Sequence, residues 1–153
     1  MRIVAAVAST MIVLIYAAGS GVWVSSGDSW YRSLSQPPWQ PPDIVFGLIW
    51  PYNFLALIVA GLVVSLAGTS GQRWVWLAGL AVSVAAALGW AYSFYIVQEL
   101  WLAAVLLALA FLFTVPIVIV AWRTNWWAGL ILLPYAAWVA VATSLAIGYA
   151  MRN

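Results

Sequence analysis

The chain has 153 residues, of which 67% are hydrophobic and only 5% charged, with a net charge of +2. A soluble domain carries about 25% charged residues, so no water-facing surface can be built here and the chain belongs in a membrane. There is no cysteine, histidine or lysine, which excludes disulfides, the usual zinc sites and strong haem ligands, and the scattered arginines exclude a nucleic-acid face.

The charges fall at Arg2, Asp28, Arg32, Asp43, Arg73, Glu99, Arg123 and Arg152. Between them lie five uncharged stretches, 3–27, 44–72, 74–98, 100–122 and 124–151. Each exceeds the roughly 20 apolar residues that cross a bilayer core. None alternates as the strands of a barrel would. The expected fold is all-α, an integral membrane bundle of five transmembrane helices forming a single domain over 1–153.

The first span is expected at about 3–24. Residues 1–19 carry the Arg2, apolar run and small "YAAGS" of a secretory signal, but the run continues through "GVWV", past a typical signal core. The first connection, 25–43, is the only long one, with Trp30, Tyr31 and Trp39 among four prolines. Asp28 and Asp43 flank it, and Asp43 is placed to cap the second helix.

The second span, 44–66, sets Trp50, Phe54 and Leu57 on one face. The third, 74–97, sets Ala87, Trp90 and Phe94 on one face, and Ala81, Ala85 and Gly89 in a small-residue row. That row serves internal packing or a homodimer. The fourth span is 101–121; the fifth, 127–150, aligns Pro134, Trp138, Ala142 and Leu145. The connections 67–73, 98–100 and 122–126 are short, so successive helices are antiparallel.

Trp74, Trp76, Trp101, Trp122, Trp126 and Trp127 lie at span ends, where an indole has its ring in hydrocarbon and its N–H in water. Trp90 and Trp138 lie inside spans, where the N–H wants a partner. Their neighbours either pack the bundle or line a pocket of flat π faces for a flat apolar ligand. Arg2, Arg73 and Arg123 share one side and Arg32 and Arg152 the other, which leans toward a cytoplasmic N-terminus. No paired carboxylate, Ser–His set, phosphate loop or mid-membrane acid is present, so no catalytic residue, metal site or required cofactor is expected.

The first connection resembles the hallmark of the TspO/MBR family, the translocator protein or peripheral benzodiazepine receptor family. That hallmark here reads Trp30, Tyr31, Leu34, Pro37, Trp39, Pro41, Pro42, Val45, Phe46 and Trp50. A second block is "WAGLILLPYAAWVAVAT", with Ala128, Gly129, Pro134, Tyr135, Trp138, Ala142 and Thr143. The third span is similar through Trp90, Phe94 and Tyr95. The resemblance implies a five-helix bundle, often dimeric, with a ligand cavity under the first connection acting as a lid. It implies binding of porphyrins such as protoporphyrin IX, and in many members of sterols and synthetic isoquinoline or benzodiazepine ligands.

The ligand-binding positions it implies are Trp30, Tyr31, Trp39 and Pro42 in the lid, Trp50 and Phe54 in the second span, Ala87, Trp90 and Phe94 in the third, and Trp138, Ala142 and Leu145 in the fifth. Ser20 and Trp23 of the first span are further candidates. Light-dependent porphyrin degradation within the family implies an alternative, a photo-oxidase in which Trp50 and Trp138 carry radical equivalents. A ligand-free structural or regulatory subunit is the third reading. The chain departs from the family at Ala87 and Ala146, where the family often has Asn, at Phe54, usually Tyr, and at Asn125, usually an acid. Leu145, Tyr149 and Arg152 also satisfy a sterol-recognition pattern. The expected setting is a bacterial cell membrane, multi-pass, with membrane lipids as neighbours.

Overall fold

The computed structural model describes residues 1–153. Its elements are helices throughout: α1 (Arg2–Ser26), α2 (Asp28–Ser33), α3 (Asp43–Ala67), α4 (Ser70–Tyr92), α5 (Leu100–Thr124), α6 (Trp126–Leu130) and α7 (Leu133–Arg152). Five helical segments are long and apolar enough to cross a membrane: α1, α3, α4 with its extension to Val97, α5, and α6 with α7. In hydrocarbon every backbone N–H and C=O must be satisfied within the segment, and the helix achieves this.

Around the bundle, α1 packs between α3 and α4, α4 packs on α5, and α5 on α7, while α7 touches α3 only lightly. The tight side is built from small residues. Gly79 of α4 lies so close to α5 that a Cβ there would stand 2.9 Å from Ile117. Beside it, Ser83 donates to the Ala110 carbonyl at 3.0 Å and pairs with Thr114 at 3.3 Å, so the polar groups of this seam satisfy each other.

Several boundaries differ from the sequence expectation. The third span begins at Ser70, not at 74, because Thr69 and Gln72 form a reciprocal capping box. Residues 28–33, expected as loop, form α2, whose Arg32 Nε donates to Asp28 Oδ2 at 2.9 Å. That bond raises the Arg32 pKa above its ordinary value. Asp43 does not cap α3; Pro42 holds the cap position and Asp43 is the first helical residue, where its charge favours the helix dipole. The fifth span is broken at 131–132, before Pro134, which stands at the start of α7. Pro134 is exposed at this helix end and does not border the cavity at the lid end of the bundle, whereas Trp138, one turn further along α7, is buried and does.

Trp76 is the clearest exception among the span-end tryptophans. It is fully buried, and its indole N–H donates to Ser9 Oγ at 2.9 Å. Gly61 makes room for this pair, since a Cβ there would lie 3.2 Å from the indole and against Ser9 Oγ. The other five, Trp74, Trp101, Trp122, Trp126 and Trp127, are exposed. The small-residue row of α4 divides: Ala81 and Ala85 are exposed, while Gly89 packs toward Leu106 of α5.

Candidate functional site

Because α3 and α7 pack loosely, the bundle is open inside at the lid end. A cavity of about 270 Å³ lies there, lined by 17 residues. Helix α1 contributes Ala17, Ser20, Gly21 and Val24; α3 contributes Phe46, Trp50 and Phe54. Trp90, Phe94 and Tyr95 come from the α4 segment, and Trp138, Ala142, Leu145, Ala146 and Tyr149 from α7. The lid adds Tyr31 and Gln40.

Nine of the 17 are aromatic and none is charged. Trp50 and Phe54, one turn apart, stack at 5.6 Å, and Trp138 stands edge-on to Trp50 at 6.5 Å and to Phe46 at 5.1 Å. The indole nitrogens of Trp90 and Trp138 are both buried without a hydrogen-bond partner. Each is a donor aimed at no acceptor, in a wall where an unmade bond costs about 1–3 kcal/mol.

A turn of π-helix, Ser93–Val97, ends the α4 segment and closes at Gln98, whose φ of 65° is left-handed. This turn carries both Phe94 and Tyr95, which border the cavity; Tyr95 lies outside the expected ligand-binding set.

The roof is an aromatic cluster held by one amide. The Tyr31 ring lies 5.7 Å from Tyr149 and 5.9 Å from Tyr95. Gln40 Nε2 donates to Tyr31 Oη at 2.9 Å, and Tyr149 Oη donates to Gln40 Oε1. At the far edge of the lid, the Ser35 N–H donates to Asn153 Oδ1 at 2.8 Å and Asn153 Nδ2 donates back to the Ser35 carbonyl at 3.2 Å. Pro37 and Trp39 lie on Gly148, where a Cβ would come within 2.8 Å of both. Only glycine lets the lid sit this close to α7.

Of the expected site residues, Tyr31, Trp50, Phe54, Trp90, Phe94, Trp138, Ala142, Leu145 and Ser20 border the cavity. Five others do not. Trp30 stands one layer back, edge-on to Phe94 at 5.3 Å. Trp39 is half exposed on the lid's outer side, with the Arg152 guanidinium 5.6 Å from its ring centre. Pro42 is exposed at the start of α3. Ala87 is buried in the core between helices. Trp23 turns toward Tyr92 at 5.4 Å.

Ala146 does border the cavity, so the polar group lost there is lost from its wall. The sterol pattern does not form a lipid-facing surface: Leu145 and Tyr149 are buried against the cavity, and Arg152 lies over Trp39. Gln40 was missed because a lone glutamine in a proline-rich loop carries no periodic signal. Phe46, a residue of the family hallmark, lies one turn before Trp50 on α3 and borders the cavity as well.

The TspO/MBR family profile matches residues 6–152. The chain is 30% identical to Protein CrtK of Rhodobacter capsulatus, over 84% of this chain and 81% of that one. It is 28% identical to a tryptophan-rich sensory protein of Cereibacter sphaeroides, over 88% and 86%. It is 30% identical to the tryptophan-rich protein TspO of Chlorobaculum tepidum, over 84% and 82%. With five membrane spans and bacterial relatives over most of its length, this is a multi-pass bacterial membrane protein, and it belongs to the TspO/MBR family.

Proposed function

We propose that the protein is a membrane receptor or carrier for flat, largely apolar ligands of the tetrapyrrole class, such as protoporphyrin IX, bound under the lid. The observation that carries this reading is the uncharged cavity beneath the lid, nine of whose 17 lining residues are aromatic. Ring faces of Trp50, Phe54 and Trp138 suit a planar π system.

The lining cannot pair a carboxylate with a cation, and an unpaired buried charge is strongly disfavoured. A bound porphyrin therefore places its macrocycle in the cavity and its carboxylates at the lid end, where Arg152 has no carboxylate partner. The volume of about 270 Å³ lies just under the roughly 300–1,000 Å³ of drug-sized sites. Binding of a full tetrapyrrole thus requires the lid to move off α7.

Titrating protoporphyrin IX into purified protein and following tryptophan quenching tests the reading. Saturable quenching is expected, with affinity reduced about tenfold or more in the Trp50→Phe, Trp138→Phe double variant. Non-saturable quenching, or unchanged affinity in the double variant, overturns it.

A further inference from the structure

A second recess, of about 190 Å³, lies at the end of the bundle opposite the lid. Two facing helical stripes form it: Val4, Ala5 and Ala8 on α1, and Arg73, Trp74 and Leu77 on α4. Spacings of three and four residues put each set on one side of its helix. The small side chains of Ala5 and Ala8 leave the space between them. The recess is open to the membrane, since Val4 and Trp74 are among the most exposed apolar residues.

Charge is sorted along the bundle. The antiparallel spans place Arg2, Arg73 and Arg123 at this end with no carboxylate, while Asp28, Asp43 and Glu99 are all at the lid end. Arg73 is the one arginine bordering the recess. Its Nη1 donates to the Gly68 carbonyl at 2.8 Å and weakly to the Ser65 carbonyl at 3.5 Å, closing the last turn of α3. Its Nε is buried with no partner. The guanidinium is thus fixed through Nη1 by the Ser65 and Gly68 carbonyls at the end of α3, Nε is out of reach, and Nη2 remains as an accessible donor without a partner; no carboxylate compensates the charge.

We propose that this recess binds one acyl chain of an anionic phospholipid, whose phosphate pairs with Arg73. The apolar walls take hydrocarbon, and a guanidinium held through Nη1 offers its Nη2 N–H groups to an acceptor-only anion. Trp74 beside it sits at headgroup depth, as an exposed indole at a span end does. A zwitterionic phospholipid carries an added headgroup cation, which the three arginines of this end repel. Free phosphate lacks the chain that fills the recess. This site is independent of the lid cavity and of any ligand bound there.

Native mass spectrometry of the full chain, released from micelles containing equal dioleoyl phosphatidylglycerol and phosphatidylcholine, tests it. Wild type retains phosphatidylglycerol about fivefold in preference, the effect of one arginine near a headgroup. Arg73→Gln abolishes the preference. Ala8→Leu, which leaves every charge in place and fills the recess, lowers retention of both lipids and serves if Arg73→Gln does not fold. Millimolar inorganic phosphate leaves retention unchanged. Equal retention of the two lipids by wild type, full retention by Ala8→Leu, or displacement by inorganic phosphate overturns the assignment.

Discussion

Trp74 and Trp76 stand two residues apart on α4, the first exposed to lipid and the second fully buried with its N–H on Ser9. Trp76→Phe leaves the Ser9 oxygen without its donor and a gap beside Gly61, and is expected to destabilise by about 1–3 kcal/mol. Trp74→Phe is expected to change stability by less than about 0.5 kcal/mol. Thermal unfolding in detergent separates the two. Asn53 makes the opposite case. Both its amide atoms are buried and unpartnered on α3. Asn53→Leu, of nearly the same shape, should raise the melting temperature, since an apolar group there avoids a penalty of about 1–3 kcal/mol. A lowered melting temperature would show that Asn53 has a partner in the membrane. At the lid end, Arg152→Gln is expected to weaken protoporphyrin IX binding about two- to fivefold and to leave its dimethyl ester unchanged. Equal losses for both would place the carboxylates elsewhere.

At the scale of elements, the lid is held to α7 at three points: Tyr149 through Gln40, Asn153 on Ser35, and Gly148 under Pro37 and Trp39. Gly148→Ala puts a methyl group within 2.8 Å of Pro37 and Trp39. The lid must then shift outward, so faster amide exchange in residues 35–40 and faster ligand association are expected. Unchanged exchange would mean that α7 yields instead of the lid. How far such elements were legible varies. The capping box at Thr69 and Gln72 was in the sequence to be read, and a span start at 74 overlooked it. The π-turn after Tyr92 and the break before Leu133 were not legible in the same way. Both arise where backbone bonds are rearranged under tertiary contact: Glu99 N–H reaches back to Ser93, and Tyr52 Oη takes the Ile131 carbonyl.

On the scale of the whole molecule, every charge lies at one end of the bundle or the other, and none lines the cavity. The chain also lacks His and Cys, the side chains whose ordinary pKa falls nearest neutrality. Binding of an uncharged ligand, such as the porphyrin dimethyl ester, should therefore vary less than about twofold between about pH 6 and 9. A steep pH dependence in that range would show that a titrating group reaches the ligand. The count and antiparallel order of the spans, and which charges share an end, followed from the sequence alone, because hydrocarbon excludes charge and demands about 20 apolar residues per crossing. The side of each helix that faces the cavity did not. Lipid and protein interior are both apolar, so a spanning helix is hydrophobic all round and carries no amphipathic stripe to point inward. Ala87 and Ala146 look alike in the sequence; only packing puts the first in the core and the second on the cavity wall. Packing likewise turns Trp39 outward onto Arg152 and points Gln40 of the lid in toward the cavity.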